Sequence, residues 1–491
     1  MSNVLGIISE YNPFHNGHLH HLLESQKLTN SDYSVVVMSG NFTQRGEVSI
    51  IDKWSRAQMA IENGVDLVIE LPTIYAISSA ENFASGAIKI LDSLEIVNFV
   101  SFGSECNNIS TLQEVTDVLT NEPPEYKILL SHELSSGVSF PKARERALMM
   151  YLNDVCKFAN VLSSPNNILG IEYLKALKRQ NSPIIPITIK REGSAYNDDE
   201  IPISSRFASA TSIRKLCCSH DIDILQKFLP EPSFNILEDC IKNGHIVKDL
   251  SEFDKLIIYT LRKMSVEEIA NLPDVSEGLE FAIKSAVNQC NSIVELLSII
   301  NTKRYTRTRL QRILLYSVLG ITKKDMQLSK STKPYIRILG FNNKGRELIS
   351  EISKHNRKLT MISSVKKFMD NSPNRNMKTL LEKDIWATNV YTLGYEYDSI
   401  GNWDYTHKLI TPEQMRTLKN TGLFLTGIFY FISSLIFLYL INTITLNTEI
   451  TIIEITIFWI PAFGSSFGET VLSITISLSS ICNSSTFILS K

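Results

Sequence analysis

Along the first two hundred residues, short apolar runs alternate with segments whose apolar residues recur at helical spacing. Val4 to Ile8, Ser34 to Met38, Asp66 to Leu71, Val97 to Phe102 and Ile184 to Ile189 are runs of five or six residues rich in Val, Ile and Leu. Such runs, ended by turn residues, read as strands buried on both faces. Between them, Leu19, Leu22 and Leu23 mark an amphipathic helix from about Asn16, and Asp52 caps a second helix that Gly64 stops. Further helices are predicted over about Ser79 to Leu91 and from Pro165 to about Arg179. Strand alternating with helix predicts an α/β fold, a doubly wound parallel sheet with helices on both faces. In such sheets ligands sit outside the carboxyl ends of the strands, where the strand order reverses. The loops 9–18, 39–47 and 103–105 all lie at such ends.

The pattern changes at Pro230-Glu231-Pro232, and from about Phe234 it is mainly helical with few strand signals. It changes again near residue 412. Gly422 to Ile441 is twenty residues without a charge, long enough to span a bilayer. Residues 443–489 are rich in Ile, Thr and Ser in a β-like alternation, and no Lys or Arg falls between Lys419 and Lys491. Three parts are therefore expected: an α/β domain over 1–230, a mainly helical basic domain over 231–411 and a hydrophobic tail over 412–491. The tail reads either as a membrane anchor, with Arg416 and Lys419 keeping the preceding domains on the cytoplasmic side, or as a fused or out-of-frame segment. Its β-prone runs and missing cationic stop favour the second reading.

Composition alters this picture in one place. The formal net charge of the whole chain is −2, but residues 303–383 hold 20 Lys and Arg against five acids, a net +15 that leaves −17 for the remainder. Such an imbalance is the footprint of a polyanion partner. Arg304, Arg307, Arg309 and Arg312 are the candidate contacts there; positions 304, 307 and 311–312 have a helical spacing that suggests one exposed face, with pairing to the acidic first domain as the alternative for some of the arginines. Tyr305, Tyr316, Tyr335 and Phe341 are interleaved, for stacking on unpaired bases or, for most of them, for core packing. Seven scattered cysteines form no CxxC and no metal-ligand spacing, which predicts reduced thiols and a cytoplasmic setting. The first residues show neither a basic n-region nor an apolar h-region, which agrees. No obligatory protein partner is indicated.

The candidate chemistry lies between the first strand and the first helix, in Ile7-Ile8-Ser9-Glu10-Tyr11-Asn12-Pro13-Phe14-His15-Asn16-Gly17-His18-Leu19-His20. His15 and His18, three apart at a helix start, can face the same side, and the free N–H groups and positive dipole end there suit phosphate. Two imidazoles so placed can donate to a phosphoryl group as its charge develops. The spacing His-x-Gly-His after a strand resembles the signature of the nucleotidyltransferases that attack the α-phosphate of ATP and expel pyrophosphate. The plain alternative is a pair of surface histidines at a polar turn. Ser209-Ala210-Thr211-Ser212-Ile213-Arg214 is a second helix start with hydroxyls and a guanidinium, and it matches the second signature of that superfamily.

EYNPFHNGH, MSGNFTQRGE, DKWSRA, DLVIELP, FGSE, SPNNILG and SATSIR, in this order, resemble the bacterial tRNA(Met) cytidine acetate ligase family over roughly residues 1 to 410. The resemblance implies a nucleotidyltransferase domain that activates acetate with ATP to acetyl-adenylate. The acetyl group then passes to the exocyclic amine of the wobble cytidine of elongator tRNA(Met). It also implies that residues 7–20 bind ATP, that His15 and His18 stabilise the α-phosphoryl transition state, and that Gly103, Asn166 or Asn167, and Arg191 contact the nucleotide, with Ser212 and Arg214 from the second signature. Asn166, directly after Pro165, is preferred over Asn167. Mg²⁺ is expected with ATP, since it neutralises the polyphosphate; no acidic ligand set is identifiable, and no metal residue is assigned. Two other functions compete: a small-molecule adenylyltransferase, against which the basic 303–383 region argues, and a non-catalytic RNA-binding protein, against which the intact histidine pair argues.

Overall fold

The structure, a computed structural model, describes residues 2–138, 140–158, 161–191, 207–217, 222–302, 305–414, 452–461, 470–480 and 483–488. Met1–Pro412 form one compact unit and Glu413–Lys491 another.

In the first unit the apolar runs become β1 (Val4–Ser9), β2 (Tyr33–Ser39), β3 (Leu67–Leu71), β4 (Phe99–Ser104) and β5 (Ile185–Lys190). They lie in the order β5-β4-β1-β2-β3, every neighbouring pair parallel. The inner strands are almost wholly buried, as their unbroken apolar composition requires, while β5 is a half-exposed edge. Chain order runs outward from β1 through β2 to β3, then returns to β4 on the other side of β1. The crevice at the carboxyl ends of β1 and β4 is therefore the switch point.

Two more strands extend the sheet beyond β3: β6 (Tyr335–Phe341), antiparallel to β3, and β7 (Thr360–Ile362), parallel to β6. Both come from the region read as mainly helical, and their strand character is a correction to that reading. The run Tyr335-Ile336-Arg337-Ile338-Leu339-Gly340-Phe341 carries a charge near its centre, which is costly in a buried strand unless it is paired. In the fold Arg337 sits opposite Glu70 of β3, and the charge is met. The rest of 231–411 is largely helical, but it does not stand apart from 1–230. Phe42, Val48, Ile74 and Ile77 share one apolar core with Val247, Ile257, Leu310, Tyr316, Tyr335 and Tyr391.

Beneath β3 and β6 lies a buried ion cluster. Lys53, the first residue of the helix Lys53–Glu62, places Nζ 2.8 and 3.1 Å from the two Glu70 carboxylate oxygens and 2.8 Å from Asp404 Oδ1. Arg337 pairs with Glu70 Oε2 at 3.1 Å and with Asp404. Asp384 joins from the helix Arg375–Tyr391, accepting from Thr73 N at 2.7 Å and the Tyr335 hydroxyl at 2.6 Å. Burial, then the neighbouring Glu70 carboxylate, raise its pKa to about 7. Burial works in the same direction on Asp404, but Arg337 and Lys53 outweigh it and hold that carboxyl down at about 2. Lys53 and Arg337 thus face the carboxylates of Glu70 and Asp404 almost out of reach of water.

Within Glu413–Lys491 the described residues form three antiparallel strands, Ile452–Pro461, Thr470–Ser480 and Asn483–Ile488, where the alternation of Ile with Thr and Ser predicted β structure. The candidate span 422–441 lies outside the described residues. Among the described residues no helix is long and apolar enough to cross a membrane.

The cluster generates a stability prediction. Lys53→Met removes one buried cation and leaves Glu70 and Asp404 short of a partner, so it should cost about 3–5 kcal/mol, the range for breaking a buried pair from one side. Urea denaturation of the two proteins measures this; a loss under about 1 kcal/mol is the surface-pair result and would contradict the cluster.

Candidate active site

The switch-point crevice is built first by the link between β1 and the helix Asn16–Thr29. His15 is the N-cap of that helix. Its Nδ1 accepts from Gly17 N at 3.1 Å, while His18 Nδ1 accepts from His15 N at 3.3 Å. This is a capping box made of two imidazoles in place of the usual hydroxyl and carboxylate. A neutral ring that accepts through Nδ1 carries its proton on Nε2, so the hydrogen-bond network assigns both rings as Nε2–H donors. The rings stack with centroids 3.7 Å apart, and Tyr11 and Phe14 close on His18 from the apolar side.

Burial, followed by the nearby Arg191 and Arg214, lowers the His15 pKa to about 3. His18 is pushed well below its usual value by burial and then by His15 and Arg191. Both rings are thus neutral donors at physiological pH. The expectation of free N–H groups at this helix start needs correction. Gly17 N is taken by His15, Asn16 N donates to Phe228 O at 2.9 Å, and His18 N and Leu19 N donate to His15 O at 2.8 and 3.1 Å. What remains for an anion is the helix dipole and the two Nε2–H groups.

The predicted segment 7–20 separates into two kinds of residue. Ile7, Ile8, Tyr11, Asn12, Pro13 and Phe14 are buried and support the loop. Asn12 shows how: its side chain accepts from Ile50 N at 2.8 Å and donates to Val48 O at 3.2 Å, tying this loop to 48–50. Ser9, Glu10, Asn16, Gly17, His18, Leu19 and His20 keep part of their surface open. Ser9 Oγ accepts from Tyr11 N, and His20 lies against Phe207.

Around this loop stand two guanidiniums. Arg214, on the helix Ala210–Cys217, donates to Asn12 O at 3.2 Å and to Glu47 Oε2 at 3.0 Å. Ser212, in the same first turn, is buried, its N–H and hydroxyl both engaged with Ser209 Oγ. Arg191, just past β5, donates from Nη1 to Asn166 Oδ1 at 2.8 Å. Gly103 lies beneath it, where a Cβ would come within 3.1 Å of Arg191 Cγ.

The adjacent asparagines have different surroundings. Asn166 is half-buried at the start of the helix Pro165–Gln180 and meets Arg191, whereas Asn167 is buried, its Oδ1 accepting from Glu105 N and Cys106 N at 3.0 and 3.2 Å. Glu105 in turn caps that helix, accepting from Asn166 N and Asn167 N.

The four arginines of the basic segment are not equivalent. Arg304 lies outside the described residues. Arg307 is exposed on the first turn of the helix Arg307–Leu319. Arg309 donates to Asp274 O at 2.9 and 2.6 Å and to Ser276 Oγ at 2.9 Å, with its guanidinium over the Tyr305 ring. Arg312 is buried and paired with Asp274 Oδ2 at 3.1 Å. Tyr305, Tyr316 and Tyr335 are buried and Phe341 half-buried, so the interleaved aromatics are mainly internal.

Two residues escaped the sequence reading. His21 Nε2 bonds Ser101 Oγ of β4 at 2.9 Å, and burial, then Arg191, lowers its pKa to about 4; its spacing of three from His18 was the available signal. Arg56 is fully buried and donates to the backbone carbonyls Ile51 O, Glu10 O, Ser39 O and Gly40 O. It pins the loops after β1 and β2 together, and nothing in the pattern DKWSRA distinguishes it from a helix-surface arginine.

The buried imidazoles predict a pH dependence of stability. An unfolded His15 takes up a proton near its usual value of 6.5, which the folded chain refuses until about pH 3. Stability from this group is therefore complete above pH 6.5 and falls as pH drops toward 3. Urea midpoints at pH 7.5 and 5.0 should separate in that order, and His15→Gln should narrow the gap; an unchanged gap would leave His15 outside the effect.

Comparison with known proteins identifies the family. Residues 2–403 match the family model for HIGH Nucleotidyl Transferase. The tRNA(Met) cytidine acetate ligase of Thermoanaerobacter sp. (strain X514) is 45% identical over 407 residues, 83% of this chain and 99% of that protein. The enzyme of the same name from Clostridium perfringens (strain ATCC 13124) is 44% identical over 396 residues, 79% of this chain and 95% of its own. Among solved structures, apo Thermotoga maritima TmcAL superposes with a TM-score of 0.78 at 36% identity, covering 83% of this chain and 99% of its own. The same protein bound with alpha-thio ATP gives 0.76 at the same identity and coverage. The chain therefore belongs to the HIGH nucleotidyl transferase family, among its tRNA(Met) cytidine acetate ligases.

Proposed function

We propose that this chain is an ATP-dependent acetate ligase that forms acetyl-adenylate and transfers the acetyl group to the N4 amine of the wobble cytidine of elongator tRNA(Met). The observation that carries the reading is the pair of neutral, stacked imidazoles at the switch point, each accepting a backbone N–H through Nδ1, with Arg191 and Arg214 in electrostatic range of His15. In the first step an acetate oxygen attacks the α-phosphorus of ATP, the bond to the β-phosphate oxygen breaks, and pyrophosphate leaves with the electron pair. Negative charge grows on the α-phosphoryl oxygens, where fixed donors in a water-poor crevice act most strongly. His15 and His18 are those donors. Arg191 and Arg214 neutralise phosphate oxygens, exchanging Asn166 and Glu47 for the nucleotide. Asn166, rather than the buried Asn167, is the asparagine that meets it.

Mg²⁺ enters as the partner of the ATP phosphates. Its role there is to neutralise the polyphosphate charge. The tRNA lies against the positively charged 303–383 segment, with Arg307 among the contacts. Arg309 and Arg312 serve this surface indirectly, by fixing the helix Arg307–Leu319 to the turn at Asp274–Ser276.

Acetate-dependent exchange of pyrophosphate into ATP tests the first step, with other small carboxylates and omission of acid as controls. His18→Ala should lower the exchange rate about 10²–10³-fold, as removal of one preorganised donor does. Exchange at the parent rate would remove the imidazole pair from the chemistry, and exchange that needs no carboxylate would favour a small-molecule adenylyltransferase.

Arg307→Ala should weaken tRNA binding and lower its salt slope by about one, while exchange stays at the parent rate. Arg312→Ala should instead lower the unfolding midpoint. Unchanged tRNA affinity and slope for Arg307→Ala would take this helix out of the RNA surface.

A further inference from the structure

The acyl transfer needs a group that the reading above does not supply. When the cytosine amine attacks the acyl carbon of acetyl-adenylate, the nitrogen lone pair forms the C–N bond and AMP leaves with the electrons of the C–O bond. The nitrogen must then give up a proton. Neither active-site imidazole has a basic atom free for it, because His15 and His18 accept backbone N–H groups through Nδ1 and carry their proton on Nε2.

Among the described residues, Glu10, Glu47 and Glu105 lie on the loops that form the crevice. Glu47 holds Arg214 until the nucleotide takes that guanidinium, and it then remains in the field of the same cation. Glu105 accepts from Asn166 N, Asn166 Nδ2 and Asn167 N, using both oxygens. The third is Glu10, the residue after β1. Its Oε1 accepts from Gln44 N at 2.8 Å, and among the described residues Oε2 accepts no hydrogen bond, on a side chain that keeps part of its surface open. The backbone carbonyl of Glu10 is held by buried Arg56, so the position of this carboxylate is fixed from below. Glu10 directly follows β1 at the carboxyl end of that strand, in the same loop that leads to the N-cap His15, so it stands at the switch point with the imidazole pair.

We propose that Glu10 is the base of the transfer step: Oε2 accepts a hydrogen bond from the exocyclic amine of the cytosine and then takes the proton that the amine loses. A carboxylate is the side-chain group that matches the cytosine N4 donor, so the same oxygen selects the base and deprotonates it. The proton passes afterwards to water. Burial favours the protonated form of Glu10 and raises its pKa. The charged groups around it divide. Glu47 raises the value further, the backbone N–H of Gln44 and the cations Arg45 and Arg214 lower it, and Arg56 and Tyr173 lie within electrostatic range. The net rise makes this carboxylate a better proton acceptor than an exposed one.

The inference rests on the acetate-ligase reading, and the experiment separates the two. Enzyme is loaded with acetyl-adenylate from ATP and radiolabelled acetate, freed of excess substrate, and mixed with tRNA(Met). The rate of label transfer per bound adenylate is then followed from pH 5 to 9. In the parent this rate should rise with pH through the Glu10 value and level off. In Glu10→Gln, which keeps the oxygen that accepts from Gln44, it should fall about 10²–10³-fold, within the span of general-base effects, and lose the rising limb; Glu10→Asp should recover part of the rate and keep the limb. Transfer by Glu10→Gln at the parent rate, or with the parent's pH limb intact, overturns the proposal. So does a Glu10→Gln enzyme whose only defect is a raised KM for ATP in loading. A parent enzyme that forms no acetyl-adenylate would overturn the acetate-ligase reading itself.

Discussion

Lys53, Arg337, Glu70 and Asp404 meet where β3, β6 and two helices converge, with almost no solvent contact. Each of these charges is costly to bury alone, by several kcal/mol, and the cost is offset only while the partners stay in place. The residues come from four places in the sequence that span about 350 positions, so the set cannot be completed until both halves of the chain have folded together. That requirement fixes the register of β6 against β3. It also seats the helix Lys53–Glu62, whose Arg56 holds the loops after β1 and β2 by their carbonyls. The crevice therefore inherits its shape from a charge cluster that has almost no contact with solvent.

The crevice itself is kept in order by internal hydrogen bonds that use up most of its polar atoms. The two imidazoles cap their own helix, and this fixes their tautomers without a carboxylate. Arg214 and Arg191 rest on Glu47 and Asn166, acceptors that a polyphosphate can replace. Glu105 holds the start of the helix Pro165–Gln180. Glu10 is held by one carboxylate oxygen, which accepts from Gln44 N, while among the described residues its second oxygen accepts no hydrogen bond.

The amino-acid sequence by itself determined the five parallel strands, since runs such as Ser34-Val35-Val36-Val37-Met38 have no polar face and must be covered on both sides. It determined the helix start at His15 and the pairing of His15 with His18 on one side, which follow from local spacing. The seven ordered motifs carried the family, and the charge of residues 303–383 was plain from counting. All of these are properties of neighbours in the chain, where period, caps and composition act.

What only the tertiary structure decided depends on partners far apart in sequence. Arg337 reads as a polar interruption until Glu70 faces it, and so β6 was not legible as a strand. Arg309 and Arg312 read as cations for a ligand until Asp274 takes them, leaving Arg307 as the exposed member of the described set. Asn166 and Asn167 are equivalent in the sequence and become distinct because one faces Arg191 and the other is drawn inward by the 105–106 backbone. The same holds for Glu10: the residue type was visible, but the vacancy at its second oxygen depends on which groups the fold brings near it, and a hydrogen bond that is not made leaves no mark in a sequence.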